Sequence, residues 1–104
     1  MPPRKKKYEI EFMPEADEQL GALAARDRAT LLDTVFEQLR HQPTVQTRNR
    51  KSLEENPIAP WVLRIGRLRI YFKVSEEPPV VTLRAIGIKD RNRLLINGEE
   101  VKLR

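Results

Sequence analysis

Residues 61–74 read Trp-Val-Leu-Arg-Ile-Gly-Arg-Leu-Arg-Ile-Tyr-Phe-Lys-Val, and their alternation decides how the rest of the chain is arranged. Trp61, Leu63 and Ile65 share one parity of a first run, with Val62 and Arg64 on the other. In a second run Leu68, Ile70, Phe72 and Val74 share a parity, and Arg67, Arg69, Tyr71 and Lys73 take the other. Alternation with period two marks a strand with one buried and one wet face. Two such runs split at Gly66 read as an antiparallel hairpin. Its apolar face needs a cover. Its other face carries arginines and a tyrosine with no acid between them.

Working outward, the next strand follows a turn at Glu76-Glu77-Pro78-Pro79, since two prolines do not fit a central strand. Val80 to Ile88 then forms a long strand with Val81, Leu83 and Ala85 inward and Thr82 and Arg84 outward. Beyond Gly87, Asn97-Gly98 between apolar runs is a two-residue hairpin signal, so a small closing ribbon is expected. On the N-terminal side, residues 43–60 read as loop, with the cluster Arg48, Arg50 and Lys51 and a single core anchor at Leu53. Loops often carry function, and this cluster is a candidate RNA contact.

The cover for the hairpin lies further upstream. Tyr8, Ile10 and Phe12 alternate with Glu9 and Glu11 as a first strand. A helix begins at Pro14, a residue tolerated at the first helical position, with Glu15, Asp17 and Glu18 suited to its dipole. Asp27 is placed to cap a second helix running to about Gln42, with Leu32, Val35, Phe36 and Leu39 as its apolar stripe. The short link makes the pair an antiparallel helical hairpin. Residues 14–40 hold six acids against three bases, so the helical layer is acidic and the remainder basic.

Composition bounds the function. The chain has 104 residues, 20 Lys and Arg against 15 Asp and Glu, and a net charge of +5. That suits one domain, residues 8–104, with a modest core and a polyanion or acidic protein as partner. Residues 1–7 read as a disordered basic arm. With no cysteine, a disulfide framework and thiolate metal sites are excluded, and a cytoplasmic setting is expected. No apolar run approaches membrane-spanning length. There is no Ser-His-Asp set, Gly-rich phosphate loop or His/Asp/Glu metal cluster, so neither metal nor cofactor is expected. His41, the only histidine, suits a C-terminal dipole partner of the second helix.

The resulting fold is α+β: a small antiparallel sheet of about four strands in the order β-α-α-β-β-β, with the helical hairpin on one face. The open face projects Arg64, Arg69, Tyr71, Lys73 and Arg84, joined by Lys89, Arg91 and Arg93. Guanidiniums meet phosphates and an exposed ring can stack on a base, so this face is a candidate RNA surface, with Arg67 adding to it.

The Tyr-x-Ile-x-Phe opening strand, the helical hairpin, Lys-Ser-Leu at 51–53 and the hairpin at 61–72 together resemble the RelE/ParE toxin superfamily, over about Tyr8 to Leu95. The resemblance implies the toxin half of a bacterial type II toxin–antitoxin system, silenced by a small cognate antitoxin. RelE-like members cut mRNA on the ribosome without a metal, and ParE-like members poison DNA gyrase. By resemblance, Arg69 corresponds to a ligand of the scissile phosphate, and Lys89 falls where a RelE-like arginine stands, keeping the charge but not the planar fork. The same resemblance makes Arg69 and Lys89 the catalytic candidates. Leu95 occupies the place of the RelE-like tyrosine, and Pro60 and Val62 the places of two lysines. The usual general acid and base are therefore missing. Two readings stand: a metal-independent endoribonuclease acting on ribosome-bound mRNA, or a gyrase-directed or non-catalytic toxin that binds its antitoxin.

Overall fold

A computed structural model describes residues 7–102 of the chain. The expectation of a basic arm falls mainly on residues 1–6, which lie outside that range. The elements in chain order are β1 (Glu9–Phe12), α1 (Pro14–Ala22), α2 (Ala25–Leu39), β2 (Arg50–Ser52), β3 (Trp61–Ile65), β4 (Leu68–Glu76), β5 (Pro79–Asp90), β6 (Arg93–Ile96) and β7 (Glu99–Glu100). The sheet has seven strands rather than about four, in the order β2-β3-β4-β5-β6-β7 with β1 pairing β5 in parallel. The extra strands arise because β2 rises out of the expected loop and the closing ribbon joins the same sheet.

The hairpin forms as its alternation requires, with Ile65 opposite Leu68 across Gly66-Arg67 and Trp61 opposite Phe72. The Trp61 and Phe72 rings stack with centroids 6.1 Å apart. Leu63, Leu68, Ile70 and Phe72 enter the main core beneath the helices. The closing ribbon also forms, and Asn97 and Gly98 both take the positive φ, 55° and 76°, that a tight primed turn needs.

The helices differ from expectation at their ends and in their facing. Pro14 does open α1, but α2 starts at Ala25 behind Ala24 and ends at Leu39, so Asp27 lies inside its first turn and caps nothing. The buried stripe of α2 is Leu31, Val35 and Leu39, each fully enclosed. Phe36, expected inward, is 43% exposed and lies beneath the Arg40 guanidinium. A helix presents only one arc to a flat sheet, and here that arc is turned toward Leu31.

One irregularity in β5 controls which residues reach which face. Tyr71 pairs with Ala85 and Phe72 with Leu83, so Arg84 is an extra residue without a partner on β4. Such a bulge shifts the parity of everything beyond it. Val81 and Leu83 point into the core as expected, but past the bulge Ile86 takes over and Ala85 moves to the opposite face.

That opposite face is not an open surface. Val62, Tyr71 and Ala85 are covered by Ala59 and Leu94, with Leu53, Ile58, Ile96 and Val101 packed around them as a second, smaller cluster. Leu53 anchors here and not in the main core. At Gly87 a Cβ would lie 2.8 Å from a Leu94 methyl and 3.2 Å from the Leu95 carbonyl, so a glycine here leaves room for the Leu94 side chain to lie against β5.

Candidate nucleic-acid interface

The cations of the outer face are set by strand register. Arg64 of β3 stands directly opposite Arg69 of β4. Like charges directly opposite each other destabilise a strand pair. Among the described residues neither arginine has an acid within ion-pair distance. The Arg69 guanidinium donates to the carbonyls of Gly66 at 2.8 Å and Leu68 at 3.0 Å, which fixes its direction without neutralising it. Partial burial holds Arg69 below its ordinary value and the Arg64 charge lowers it further, while Tyr71 acts in the opposite sense.

Tyr71 lies two residues along β4 on the same face. Its ring is only 3% exposed, enclosed by the second cluster, so it is not the stacking platform the alternation suggested. Burial raises its hydroxyl above the usual phenol value, and Arg69 and then Arg64 pull it back down. Arg64, Arg69 and Tyr71 therefore form one electrostatic group.

Lys89 sits on β5 opposite Leu94, and its amide donates to the Arg67 carbonyl at 2.7 Å. It is half-buried, at the rim of the small cluster. Lys73 is exposed and Arg84 half-buried, and both line a cleft with residues 53–60. Lys51 pairs with Val62 and so shares the outer face. Arg48 is an exposed loop residue.

Four of the remaining candidates do not join this group. Arg50, expected on a solvated loop, is 5% exposed and faces the helices. It donates to the Gln42 carbonyl and, at 2.9 Å, to Gln38 Oε1, tying the end of α2 to β2. Burial lowers its guanidinium below the ordinary value. Arg50 is a strut, not a contact, because its neighbour in register is the inward Leu63. Arg93 is paired with Asp90 at 3.2 Å, so part of its charge is already met. Arg67 occupies the hairpin turn and lines a small cavity with Asp27 and Thr30 of α2. Arg91 is exposed in the β5–β6 turn at a φ of 57°.

Leu95 pairs with Ile88 and lines a groove with Gln19 of α1 and Leu23 just beyond it. It is therefore on the helical side, across the sheet from Arg69. The sequence pattern did carry a signal for this part of the face: apolar residues fall on odd positions through Leu83 and on even ones from Ile86, which marks the bulge. Among the described residues no three His, Asp or Glu side chains are grouped so as to hold a metal ion. No helix among them is long and apolar enough to cross a membrane.

An α+β sheet with two helices on one face is a fold that this chain shares with a solved structure. A chain of the RelBE2 toxin–antitoxin complex from Mycobacterium tuberculosis matches with a TM-score of 0.71 at 21% identity, covering 83% of this chain and 95% of that one. No family model matches the chain, and no curated protein matches it.

Proposed function

We propose that this chain is the toxin component of a bacterial type II toxin–antitoxin pair, acting in the cytoplasm on RNA. The fold likeness to a chain of a toxin–antitoxin complex supports a toxin with an antitoxin partner. The observation that carries the RNA reading is the Arg64–Arg69 pair, two cations held face to face without an acid. Such a pair costs the fold stability and is relieved when a phosphate lies between the two guanidiniums.

In this reading the target is ribosome-bound mRNA. Arg69 holds the scissile phosphate, Lys89 stabilises the charge that develops on it, and Arg64 and Arg84 position the strand. Lys51, Lys73, Arg48, Arg67 and Arg91 add long-range attraction for the polyanion. Attack by a 2′-hydroxyl also needs a proton moved, and in this reading Lys89 and Tyr71 share that task. Burial raises the Tyr71 hydroxyl, which keeps it protonated and makes it a poor base.

Leu95 on the opposite side and the enclosed Tyr71 ring favour a second reading, a toxin that is gyrase-directed or non-catalytic and works by binding alone. Expression of the chain without a partner separates the two. Translation arrest with mRNA cut within codons is the expected outcome, and Arg69→Ala reduces it on the order of a hundred- to a thousandfold. Intact mRNA with gyrase-linked DNA breaks supports the second reading. An antitoxin that covers the cationic face binds more weakly as salt rises, because exposed charges are screened.

A further inference from the structure

Three departures from regular structure converge on one cleft of about 300 Å³ beside the second cluster, lined by residues 53–60 with Lys73 and Arg84. The first is Asn56, whose side chain organises the loop between β2 and β3. Its amide donates to the carbonyls of Glu54 at 2.8 Å and Ala59 at 2.9 Å, and its oxygen accepts from the amides of Ile58 at 2.8 Å and Ala59 at 3.1 Å. Leu53 closes the loop by donating to the Pro60 carbonyl at 2.8 Å. A loop so tied is a preformed wall.

The second departure is the bulge, which leaves Arg84 unpaired in the ladder and places it at this cleft. Bulges re-aim side chains and are enriched next to active sites. The third is the composition of the lining. Leu53, Ile58 and Ala59 are apolar, Lys73 and Arg84 are cationic, and Glu54 and Glu55 bring carboxylates. A simple anion gains nothing from the carboxylates, and a purely apolar ligand gains nothing from the cations. The lining suits a flat apolar body with an anion at one end and hydrogen-bond donors at the other.

We propose that this cleft is a base-holding subsite for one nucleotide of single-stranded RNA whose base carries an exocyclic amino group, cytosine, adenine or guanine as against uracil. The ring lies against Leu53 and Ile58, the phosphate meets Arg84 and Lys73, and a loop glutamate accepts from the amino group. The volume is at the small end of ligand pockets, suited to a single nucleotide unit. This deepens the RNA reading and rests on it: the cleft lies on the face that holds Arg64 and Arg69, and it sets which base is seated near them.

The test is a titration of the intact, isotopically labelled protein, followed by the backbone amide resonances. Cytidine 5′-monophosphate is expected to give saturable shifts at Asn56, Ile58 and Ala59, with an affinity at least about fivefold above that of uridine 5′-monophosphate. Inorganic phosphate is expected to leave those amides unmoved. Arg84→Gln should weaken the cytidine nucleotide about tenfold, as the loss of one charge-assisted hydrogen bond does. Lys73→Gln, at an exposed position, repeats the test should Arg84→Gln disturb the bulge. Equal shifts from phosphate and nucleotide overturn the proposal in favour of a plain cationic patch. Tighter occupation of the same amides by an acidic peptide overturns it in favour of a protein partner. Nucleotide binding without translation arrest in cells leaves the subsite standing and removes the proposed function. Arg69-dependent arrest without base-dependent shifts does the reverse.

Discussion

Phe72 and Tyr71 are neighbours in β4 that fall on opposite faces of one sheet, and their surroundings differ in kind. Phe72 is fully buried, stacked on Trp61 and opposite Leu83, within a core that both helices complete. Tyr71 is almost as well enclosed, but by a thin cover of loop and ribbon residues, and it lies within the field of Arg69 and Arg64. The helical side meets the buried cation Arg50 with Gln38 and the Gln42 carbonyl. The outer side leaves Arg64 and Arg69 without an acid. One face holds the molecule together, and the other keeps charge available at some cost to stability.

The largest effect that sharpens this contrast is at Phe72. Phe72→Ala should cost about 3–5 kcal/mol of folding free energy, measured by denaturant unfolding, because it opens a cavity in the deepest layer. Arg50→Ala should follow at about 2 kcal/mol, the value of hydrogen bonds made by a charged group, with α2 loosened at its C-terminal end. Hydrogen exchange of the Leu39 and Arg40 amides reads that loosening directly. If Arg50→Ala costs no more than a surface substitution, the assignment of Arg50 as a strut fails.

Arg64→Glu should act with the opposite sign. Replacing a like-charged cross-strand pair by an opposite one should stabilise the fold by about 0.2–1 kcal/mol while abolishing toxicity. A loss of stability here would break the distinction between the two faces.

An effect confined to high pH belongs to Tyr8, which donates to Glu76 at 2.5 Å and is pushed up to about 12 by that hydrogen bond, with burial and the Glu76 charge adding to it. The unfolded chain loses this proton near the ordinary phenol value of about 10, before the folded one does. The contribution is therefore complete below about pH 10 and is lost as pH rises toward 12. Tyr8→Phe should flatten that part of the stability–pH curve.

Much of this arrangement is legible in the residues, and the rest is hidden for physical reasons. Alternation gave the hairpin, the first strand and the Asn97-Gly98 ribbon, because period two and turn chemistry are local properties. Alternation assigns a parity but not a cover. Tyr71 was correctly placed on the Arg69 face, yet only the tertiary position of residues 53–60 and 94–101 makes it buried. Arg50 looked like one of a run of loop cations because a three-residue strand leaves too short a pattern to read. The α2 stripe was ambiguous since Leu31, Leu32, Val35, Phe36 and Leu39 span more arc than one sheet covers. The bulge at Arg84 shows in the residues as a change of phase, and a uniform alternation through it places Ala85 on the wrong face.

Gln19 has a consequence for how the molecule behaves in a crowd. Along one side of β5, β1 pairs as far as Leu83 and β6 begins at Ile88, so a short seam lies between two partner strands. The Ile86 amide in that seam donates at 2.6 Å to the Gln19 side chain, which is itself buried. An uncovered strand edge is a template on which another chain can polymerise. A single glutamine from α1 here does the work of a missing strand, so resistance to aggregation rests on a helix staying docked and not on the sheet alone.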